Sequence, residues 1–201
     1  MLILAMFIIR ACAAGCGQPA IYGSNLCFTH QANPQLETLR IAEYIAGKKI
    51  VHNICAPLVR FENIDFSGCH FNGCNFMQAE FSMCVFSGSE MRMSFFDFAV
   101  FDNCDFSKSD LQFLSFAGAR IRNCSFEGSE LIHINYCGTH ISDTTFDNSN
   151  MYNSRFINAE IKNTDFINCN LKRVHFFASR REGINMKSSN TGEAVFDMGE
   201  E

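Results

Sequence analysis

Apolar side chains recur every five residues through the middle of the chain. Counting in fives from Phe61 to Phe176, all 24 positions hold an apolar or aromatic residue, without an insertion. An α-helix repeats its faces about every 3.6 residues and a strand about every two, so either would scatter these side chains over all of its faces. The pattern therefore predicts a chain that turns a corner every five residues and keeps these positions, the centres, inside.

The residues around each centre indicate short extended pieces joined by tight turns. Two residues before the centre, 19 of the 24 side chains are Ala, Cys, Ser or Thr, which are small enough to share a narrow interior with a large centre. Two residues after it, Gly and Asn dominate, as at Gly68, Gly88, Asn103 and Asn123. Both residue types tolerate the positive φ that the third position of a type II turn requires.

This five-residue unit resembles that of the pentapeptide repeat family, which reads approximately small residue, Asp or Asn, Leu or Phe, then two variable residues. Clear matches are Cys104-Asp105-Phe106, Ser149-Asn150-Met151 and Cys169-Asn170-Leu171. The resemblance covers residues 59–178. It implies an all-β solenoid, a right-handed quadrilateral β-helix with four pentapeptides in each coil.

A second period, of twenty residues, agrees with a four-sided coil. Positions 66, 86, 106, 126, 146 and 166 are all Phe, whereas positions 71, 91, 111, 131, 151 and 171 are Phe, Met or Leu. Each set would stack on one side of the rod. About six coils, at about 4.8 Å between neighbouring strands, predict a rod about 29 Å long.

Both ends of such a rod expose unpaired backbone and stacked rings, so we expect capping segments. Residues 34–58 are predicted to form a short helix and a lead-in, because Asn33 and Pro34 are typical of a helix start and Gly47 of a helix end. A helix that binds a partner is the alternative. Residues 179–201 are expected to form a C-terminal tail. The predicted buried stripe of the helix consists of Leu36, Leu39, Ala42 and Ile45.

Residues 1–33 contain a cluster typical of a metal site. Cys12, Cys16, Cys27 and His30 have the spacing Cys-x3-Cys-x10-Cys-x2-His. Three thiolates and one imidazole make the closed tetrahedral ligand set of structural zinc sites. The spacing is similar to that of treble-clef-like or knuckle zinc modules. We therefore predict a structural zinc ion, and cysteines without a metal are the first alternative.

A processed leader is the second alternative for the same segment. The apolar run from Leu2 to Ile9 is followed by Ala13-Ala14-Gly15-Cys16, which resembles a bacterial lipobox and would anchor the chain through a lipid on Cys16. No basic residue precedes the apolar run, and Arg10 and Cys12 interrupt the stretch between this run and Cys16. The segment therefore matches the pattern of a leader peptide poorly.

The other cysteines favour a packing role. Six of them occupy the small inward position, where free cysteine serves as a small hydrophobic residue. The total of 11 is odd for a secreted disulfide framework, and this indicates a reducing compartment, which we take to be the cytoplasm. The six are Cys69, Cys74, Cys84, Cys104, Cys124 and Cys169.

Charge and composition exclude several function classes. The net charge of −5 leaves no basic surface for direct nucleic-acid binding. No apolar run reaches the roughly 18 residues that a membrane span needs. The histidines and carboxylates are dispersed around the predicted coils. Stacking of coils could bring a nucleophile, a base and an orienting group together, but nothing in the pattern requires such a set. The sequence therefore predicts a protein that is not an enzyme.

Four bulky apolar residues fall where the register predicts outward, polar positions: Met93, Phe95, Phe98 and Phe113. A cluster of aromatic and methionine side chains on a rod is typical of an interaction site. We predict that these residues contact a protein partner or a second copy of the chain. The alternative is that the N-terminal segment folds back and covers them.

Two functions are suggested by these observations and by the resemblance. The first is an interaction scaffold, a rigid rod that presents one side to a partner. The second is implied by the family, some of whose members imitate duplex DNA and bind gyrase or another type II topoisomerase. Between residues 61 and 176 the net charge is −6, mild for a DNA mimic, and the chain shows neither the C-terminal dimerisation helix nor the loop insertions of the fluoroquinolone-resistance members.

Overall fold

A parallel β-solenoid of about seven turns, with one small N-terminal helix, makes up the computed structural model, which describes residues 10–196. The predicted all-β solenoid is confirmed. The apolar run from residue 2 to residue 9 and the last five residues of the tail lie outside the described residues. Within residues 10–196, no helix is long and apolar enough to cross a membrane.

Short parallel strands form two opposite sides of the coil. One sheet has the order β1-β3-β5-β7-β9 and the other β12-β11-β10-β8-β6-β4-β2. Neighbouring strands pair in a register of twenty residues, as in Phe61 with Phe81 and Phe81 with Phe101. The strands are β1 Ile50–His52, β2 Arg60–Glu62, β3 His70–Asn72, β4 Glu80–Ser82, β5 Glu90–Arg92, β6 Val100–Asp102, β7 Asp110–Gln112, β8 Arg120–Arg122, β9 Glu130–Ile132, β10 His140–Ser142, β11 Glu160–Lys162 and β12 Arg180–Glu182.

Single parallel bridges, also twenty residues apart, hold the other two sides together. One of them, the Asp65 side, runs from Asp65 through Val85 and Asp105 to Asn185. The other, the Phe95 side, runs from Cys55 through Phe95 and Ser115 to Val195. Because the chain visits a strand, a bridge, a strand and a bridge in each coil, the Asp65 side and the Phe95 side lie opposite each other.

Stacked aromatic rings fill the interior. From Phe66 to Phe166 the rings of successive coils lie 4.6 to 5.1 Å apart, centroid to centroid, with interplanar angles of 29° or less. A second stack runs from Phe76 to Phe196 and meets the first one edge-on, as where Phe146 contacts Phe156 at 88°. These offset and edge-to-face contacts are the arrangements that aromatic rings prefer.

Buried hydroxyls at the small inward positions all find partners inside the rod. Ser109 and Ser129, for example, donate to the carbonyl oxygens of Phe86 and Phe106 at 2.8 and 2.7 Å. These bonds satisfy polar groups that would otherwise be costly to bury. The small inward positions therefore accept serine and threonine as readily as alanine and cysteine.

Every corner from residue 53 to residue 188 has a positive φ, as the Gly and Asn preference predicts. At the corners that follow the two stacks, a backbone hydrogen bond closes the turn, as from the Cys69 N–H to the Phe66 carbonyl oxygen at 3.1 Å. Several corners nevertheless carry bulky residues, among them Met93, Phe98 and Phe113, with φ of 48°, 58° and 56°. Such residues resist this conformation.

The solenoid extends past the range 59–178 at both ends. Strand β1 already pairs with β3, and β12 pairs with β11 although Arg181 occupies a centre. The Arg181 guanidinium lies 5.1 Å from the centroid of the Phe196 ring and donates to the Phe176 carbonyl oxygen at 3.0 Å. A charged centre is tolerated there because backbone pairing needs no particular side chain and the Arg181 side chain is only half-buried. The tail through residue 196 is therefore a last coil.

The predicted capping helix is present as α1, Pro34–Lys48, and the Asn33 side chain accepts a hydrogen bond from the Leu36 N–H at 3.1 Å. Its end differs from the prediction, because the left-handed residue is Lys49 and not Gly47. Its buried face also differs: Ile41, Ala42 and Ile45 pack on the first coil, whereas Leu36 and Leu39 are exposed. The C-terminal half of α1 lies against the rod, so only that half of the predicted stripe is covered.

We expect Phe126→Ala to lower the free energy of unfolding by about 3–5 kcal/mol, because Phe126 is fully buried between two stacked rings. Exposed Glu127→Ala should change it by less than about 0.5 kcal/mol. Urea unfolding of both variants measures the difference. Equal midpoints would contradict the buried stack.

A second prediction concerns Tyr136, whose hydroxyl has no hydrogen-bond partner in the described part of the chain and is fully buried in the second stack. Burial raises the pKa of this phenol. Tyr136→Phe should raise the free energy of unfolding by about 1 kcal/mol, because it removes a buried unsatisfied group. Phe116→Tyr, one coil away in the same stack, is the matched control and should destabilise the protein. A loss of stability in Tyr136→Phe would show that the hydroxyl has a partner.

Candidate functional site

The N-terminal segment folds into a compact module on the first coil. An antiparallel bridge joins Ala11 to Pro19 and closes the loop that carries Cys12 and Cys16. The 3₁₀ turn Phe28–His30 follows Cys27 directly and returns His30 toward the sulfur of that residue. Two loops that are near each other in the sequence thus bring four possible metal ligands together.

The ligand atoms of Cys12, Cys16, Cys27 and His30 all lie within 4.8 Å of one another. The sulfurs of Cys16 and Cys27 are 3.6 Å apart, and the Nδ1 atom of His30 is 3.5 Å from the Cys12 sulfur and 3.3 Å from the Cys27 sulfur. A zinc ion with bonds of about 2.3 Å to sulfur has ligand atoms about 3.8 Å apart in a tetrahedron. The cluster therefore has the size of a tetrahedral metal site and could hold a metal ion.

The surroundings of two of the three thiols, Cys12 and Cys27, favour the thiolate form that a metal needs. A hydrogen bond from the Gln18 backbone lowers the pKa of the Cys16 thiol, but burial and the neighbouring sulfurs outweigh it and raise that pKa. The backbone N–H of Cys27 donates to the Cys12 sulfur at 3.2 Å and lowers the pKa of that thiol. Burial raises the pKa of the Cys27 thiol, but hydrogen bonds from the Thr29 hydroxyl and the His30 backbone outweigh it, so the pKa falls to about 6. Hydrogen bonding to the Cys12 sulfur raises the pKa of His30.

The module covers the open edge of the first coil. The Tyr22 N–H donates to the Cys55 carbonyl oxygen at 2.6 Å, and the Ile21 side chain belongs to the buried core. The Arg40 side chain of α1 donates to the Tyr22 carbonyl oxygen. A metal that orders this module would thereby also stabilise the first coil.

The four predicted contact residues lie together on the Phe95 side. Met93 and Phe98 occupy two neighbouring corners of one coil, Phe95 lies between them, and Phe113 follows Met93 one coil later. Their exposed fractions, in the order Met93, Phe98, Phe95 and Phe113, are 38%, 61%, 36% and 55%. We call these four residues the apolar patch. The described N-terminal residues contact the first coil, and the apolar patch remains exposed.

Charged residues distribute unequally over the four sides, which sequence reasoning did not detect. On the side that carries β2, cations and carboxylates of neighbouring coils pair, as Arg60 does with Glu80 at 3.2 Å and Arg122 with Asp102 at 2.9 Å. The period of twenty could have shown this, because paired residues are twenty positions apart. The outward positions of the Asp65 side carry an excess of acid over the single Lys187: Asp65, Asp105, Glu127, Asp147 and Asp165.

The histidines take part in the same pairing. His70 lies 3.3 Å from a carboxylate oxygen of Glu90, and His140 lies 3.1 Å from one of Glu160. The free cysteines Cys84 and Cys104 are buried, and neighbouring sulfurs and burial raise the pKa of the Cys84 thiol. These groups act in the packing and charge balance of the rod.

Comparisons with known proteins agree with this geometry. A family model described as pentapeptide repeats in eight copies matches residues 59–92 and 94–133, and one described as a pentapeptide repeat region matches residues 119–196. No curated protein matches the chain.

Two solved structures are similar to the chain at low identity. A trypsin-treated form of QnrB1, a plasmid-mediated fluoroquinolone resistance protein, is 15% identical over 70% of this chain and 81% of that chain, with a TM-score of 0.44. HetL, involved in heterocyst differentiation regulation in the cyanobacterium Nostoc, is 13% identical over 77% of this chain and 94% of that chain, with a TM-score of 0.34.

Proposed function

Because the chain belongs to the pentapeptide repeat family, we propose that it is a non-enzymatic interaction scaffold. The apolar patch is its contact surface for a partner protein. The observation that carries this proposal is the exposure of the four large apolar side chains on one side of a rod whose other outward positions are mostly polar.

The backbone adds a second argument. Met93, Phe98 and Phe113 occupy corners with positive φ, where Gly and Asn are the easier choice. The Phe98 ring also lies over Gly118, where an added Cβ would be 2.5 Å from a ring carbon. Met83, at a corner of the Asp65 side with a φ of 53°, is also exposed, so it is the clustering of four such residues that a contact function accounts for. Methionine and aromatic residues are enriched at protein interfaces.

Binding to gyrase or another type II topoisomerase as a DNA mimic is the second candidate function. It is supported by the row of carboxylates on the Asp65 side, opposite the apolar patch. The salt-bridged side that carries β2 does not extend this row, because its charges cancel one another across neighbouring coils. The acidic surface is therefore confined to one side, and we rank this function second.

Photo-cross-linking tests the scaffold function. We expect benzoylphenylalanine placed at Phe113 to give a discrete cross-linked adduct in the cells that make the protein, whereas the same group at exposed Glu127, near the opposite side, should give none. Changing Phe95 and Phe113 together to serine should leave the unfolding midpoint unchanged and weaken the association.

The controls separate the candidates. An adduct from Glu127 alone, with inhibition or protection in a gyrase supercoiling assay, would favour the DNA mimic. An adduct of twice the chain mass would identify a second copy as the partner. A double variant that unfolds like a core mutant, or no adduct from either position, would contradict the scaffold function.

We also infer that Cys12, Cys16, Cys27 and His30 bind one structural zinc ion. The tetrahedral spacing of the ligand atoms and the low pKa of Cys27 support this. Zinc would hold the two loops together and fix the module on the first coil. Thiolate ligands persist in a reducing compartment, which agrees with a cytoplasmic protein.

We expect one zinc ion per chain by elemental analysis, lost in Cys27→Ser and kept in the control Cys137→Ser, which alters a cysteine of the rod. Zinc content should fall as the pH is lowered, because protons compete with zinc for the Cys27 thiolate, whose pKa is about 6 without the metal, and for the His30 imidazole, whose pKa is raised. Chelation should increase hydrogen exchange in the N-terminal module before the rod. Purified protein without stoichiometric zinc that also takes up none, or a mature chain that starts at a lipid-modified Cys16, would contradict the inference.

A further inference from the structure

A continuous ladder of rings runs from the apolar patch along the corner that Phe113 occupies. The rings of Phe113 and His133 stack with centroids 4.9 Å apart and an interplanar angle of 9°. Tyr152 meets His133 edge-on at 5.9 Å. The Arg173 guanidinium lies 5.8 Å from the centroid of the Tyr152 ring and donates to its hydroxyl at 3.0 Å. The ladder therefore joins the apolar patch to an exposed cation three coils away.

The lower end of this corner holds net positive charge. The neighbouring Glu193, whose backbone carbonyl oxygen accepts from the Arg173 N–H, pairs its carboxylate with Lys172 at 3.3 Å. Arg155 and Arg173 are both exposed, and neither forms a salt bridge within residues 10–196. Four other arginines of the rod form salt bridges, whereas Arg120 and Arg181 form none among the described residues; the four are Arg60, Arg92, Arg122 and Arg180.

Acid is nearly absent from this side of the rod. Among its outward positions from 55 to 195, the only carboxylate is Asp97, which accepts a hydrogen bond from the Ser115 hydroxyl. At the corner itself Glu193 pairs with Lys172, so Arg155 and Arg173 leave the cationic end with net positive charge.

We propose that a strip of residues along this corner binds an acidic segment of a partner protein. This inference rests on the interaction function proposed above. The segment's apolar side chains would lie on the upper end of the strip and its carboxylates on the two arginines. The ends are four coils apart, about 19 Å at 4.8 Å per coil. About 13 residues of α-helix span that distance. The strip consists of Met93, Phe95, Phe113, His133, Arg155 and Arg173.

Charge selects this occupant over the two other candidates. Two copies facing each other antiparallel would place the apolar end of one strip on the cationic end of the other. A single nucleic-acid strand would meet a stacking ladder, but its evenly spaced phosphates would find only two unpaired arginines on a chain of net charge −5. A segment that is apolar at one end and acidic at the other matches the whole strip.

Selection from a phage-displayed library of random 16-residue peptides tests the proposal on the full-length protein. We expect enriched peptides to combine Phe, Leu or Trp with two or more Asp or Glu residues. An enriched peptide, labelled and followed by fluorescence anisotropy, should bind at least tenfold more weakly to the double variant Arg155→Glu, Arg173→Glu. The control Arg120→Glu, an exposed arginine on the side that carries β2, should bind the peptide like the wild type.

Thermal unfolding of both variants shows whether each still folds. If the double variant unfolds at a lower temperature than the wild type, the single variant Arg155→Gln replaces it. That variant should lose affinity for the peptide by threefold or more. Peptides that lack acid, peptides that bind the double variant as tightly as the wild type, or no enrichment at all would overturn the proposal. So would a 16-nucleotide single-stranded DNA that binds more tightly than the peptides.

The cross-linking result distinguishes the two failures. An adduct from position 113 together with a failed peptide selection leaves the scaffold function in place and overturns only the acidic partner. If the adduct from position 113 is also absent, the scaffold function is overturned as well.

Discussion

The parallel backbone pairing between residues twenty positions apart is the interaction on which the rest of the structure depends. It requires every coil to have the same length, so the chain admits no insertion between residues 61 and 176. It also requires a corner every five residues, which is why each corner has a positive φ. Since the pairing involves only the backbone, it continues through Arg181, where the apolar pattern has ended.

The interior depends on the same constraint. Identical coils place identical positions above one another, so a phenylalanine at one position stacks on the phenylalanine twenty residues later. The narrow space between the stacks admits Ser or Thr only because each hydroxyl reaches a carbonyl oxygen, as in Ser109 and Ser129. Tyr136 departs from this arrangement, because its buried hydroxyl finds no hydrogen-bond partner among the described residues.

A rod of this kind has no pocket built by loops, so its chemistry lies at its ends and on its sides. The open edge of the first coil is covered by a module whose four ligand atoms have the spacing of a tetrahedral site. The sides differ in charge because residues twenty apart become neighbours: Arg60 and Glu80 neutralise each other, whereas Arg155 has no carboxylate neighbour in the described rod. The apolar patch and the cationic corner occur on the same side, and together they define what kind of partner would fit.

Periodicity by itself indicated that the chain turns a corner every five residues and buries its centres, because no helix or flat strand keeps a repeat of five on one face. The quadrilateral solenoid was implied by the resemblance to the pentapeptide repeat family, and the period of twenty agreed with its four sides. The spacing of Cys12, Cys16, Cys27 and His30 likewise indicated their cluster before any coordinates. Sequence could not determine which face of α1 is buried, since Leu36 and Ile41 are equally apolar and only the position of the helix on the first coil selects Ile41. The sequence also did not predict the last coil, because Arg181 breaks the apolar pattern but not the backbone pairing. The ladder from Phe113 through His133 to Arg173 depends on side-chain directions at the corners, and only the tertiary structure decides those.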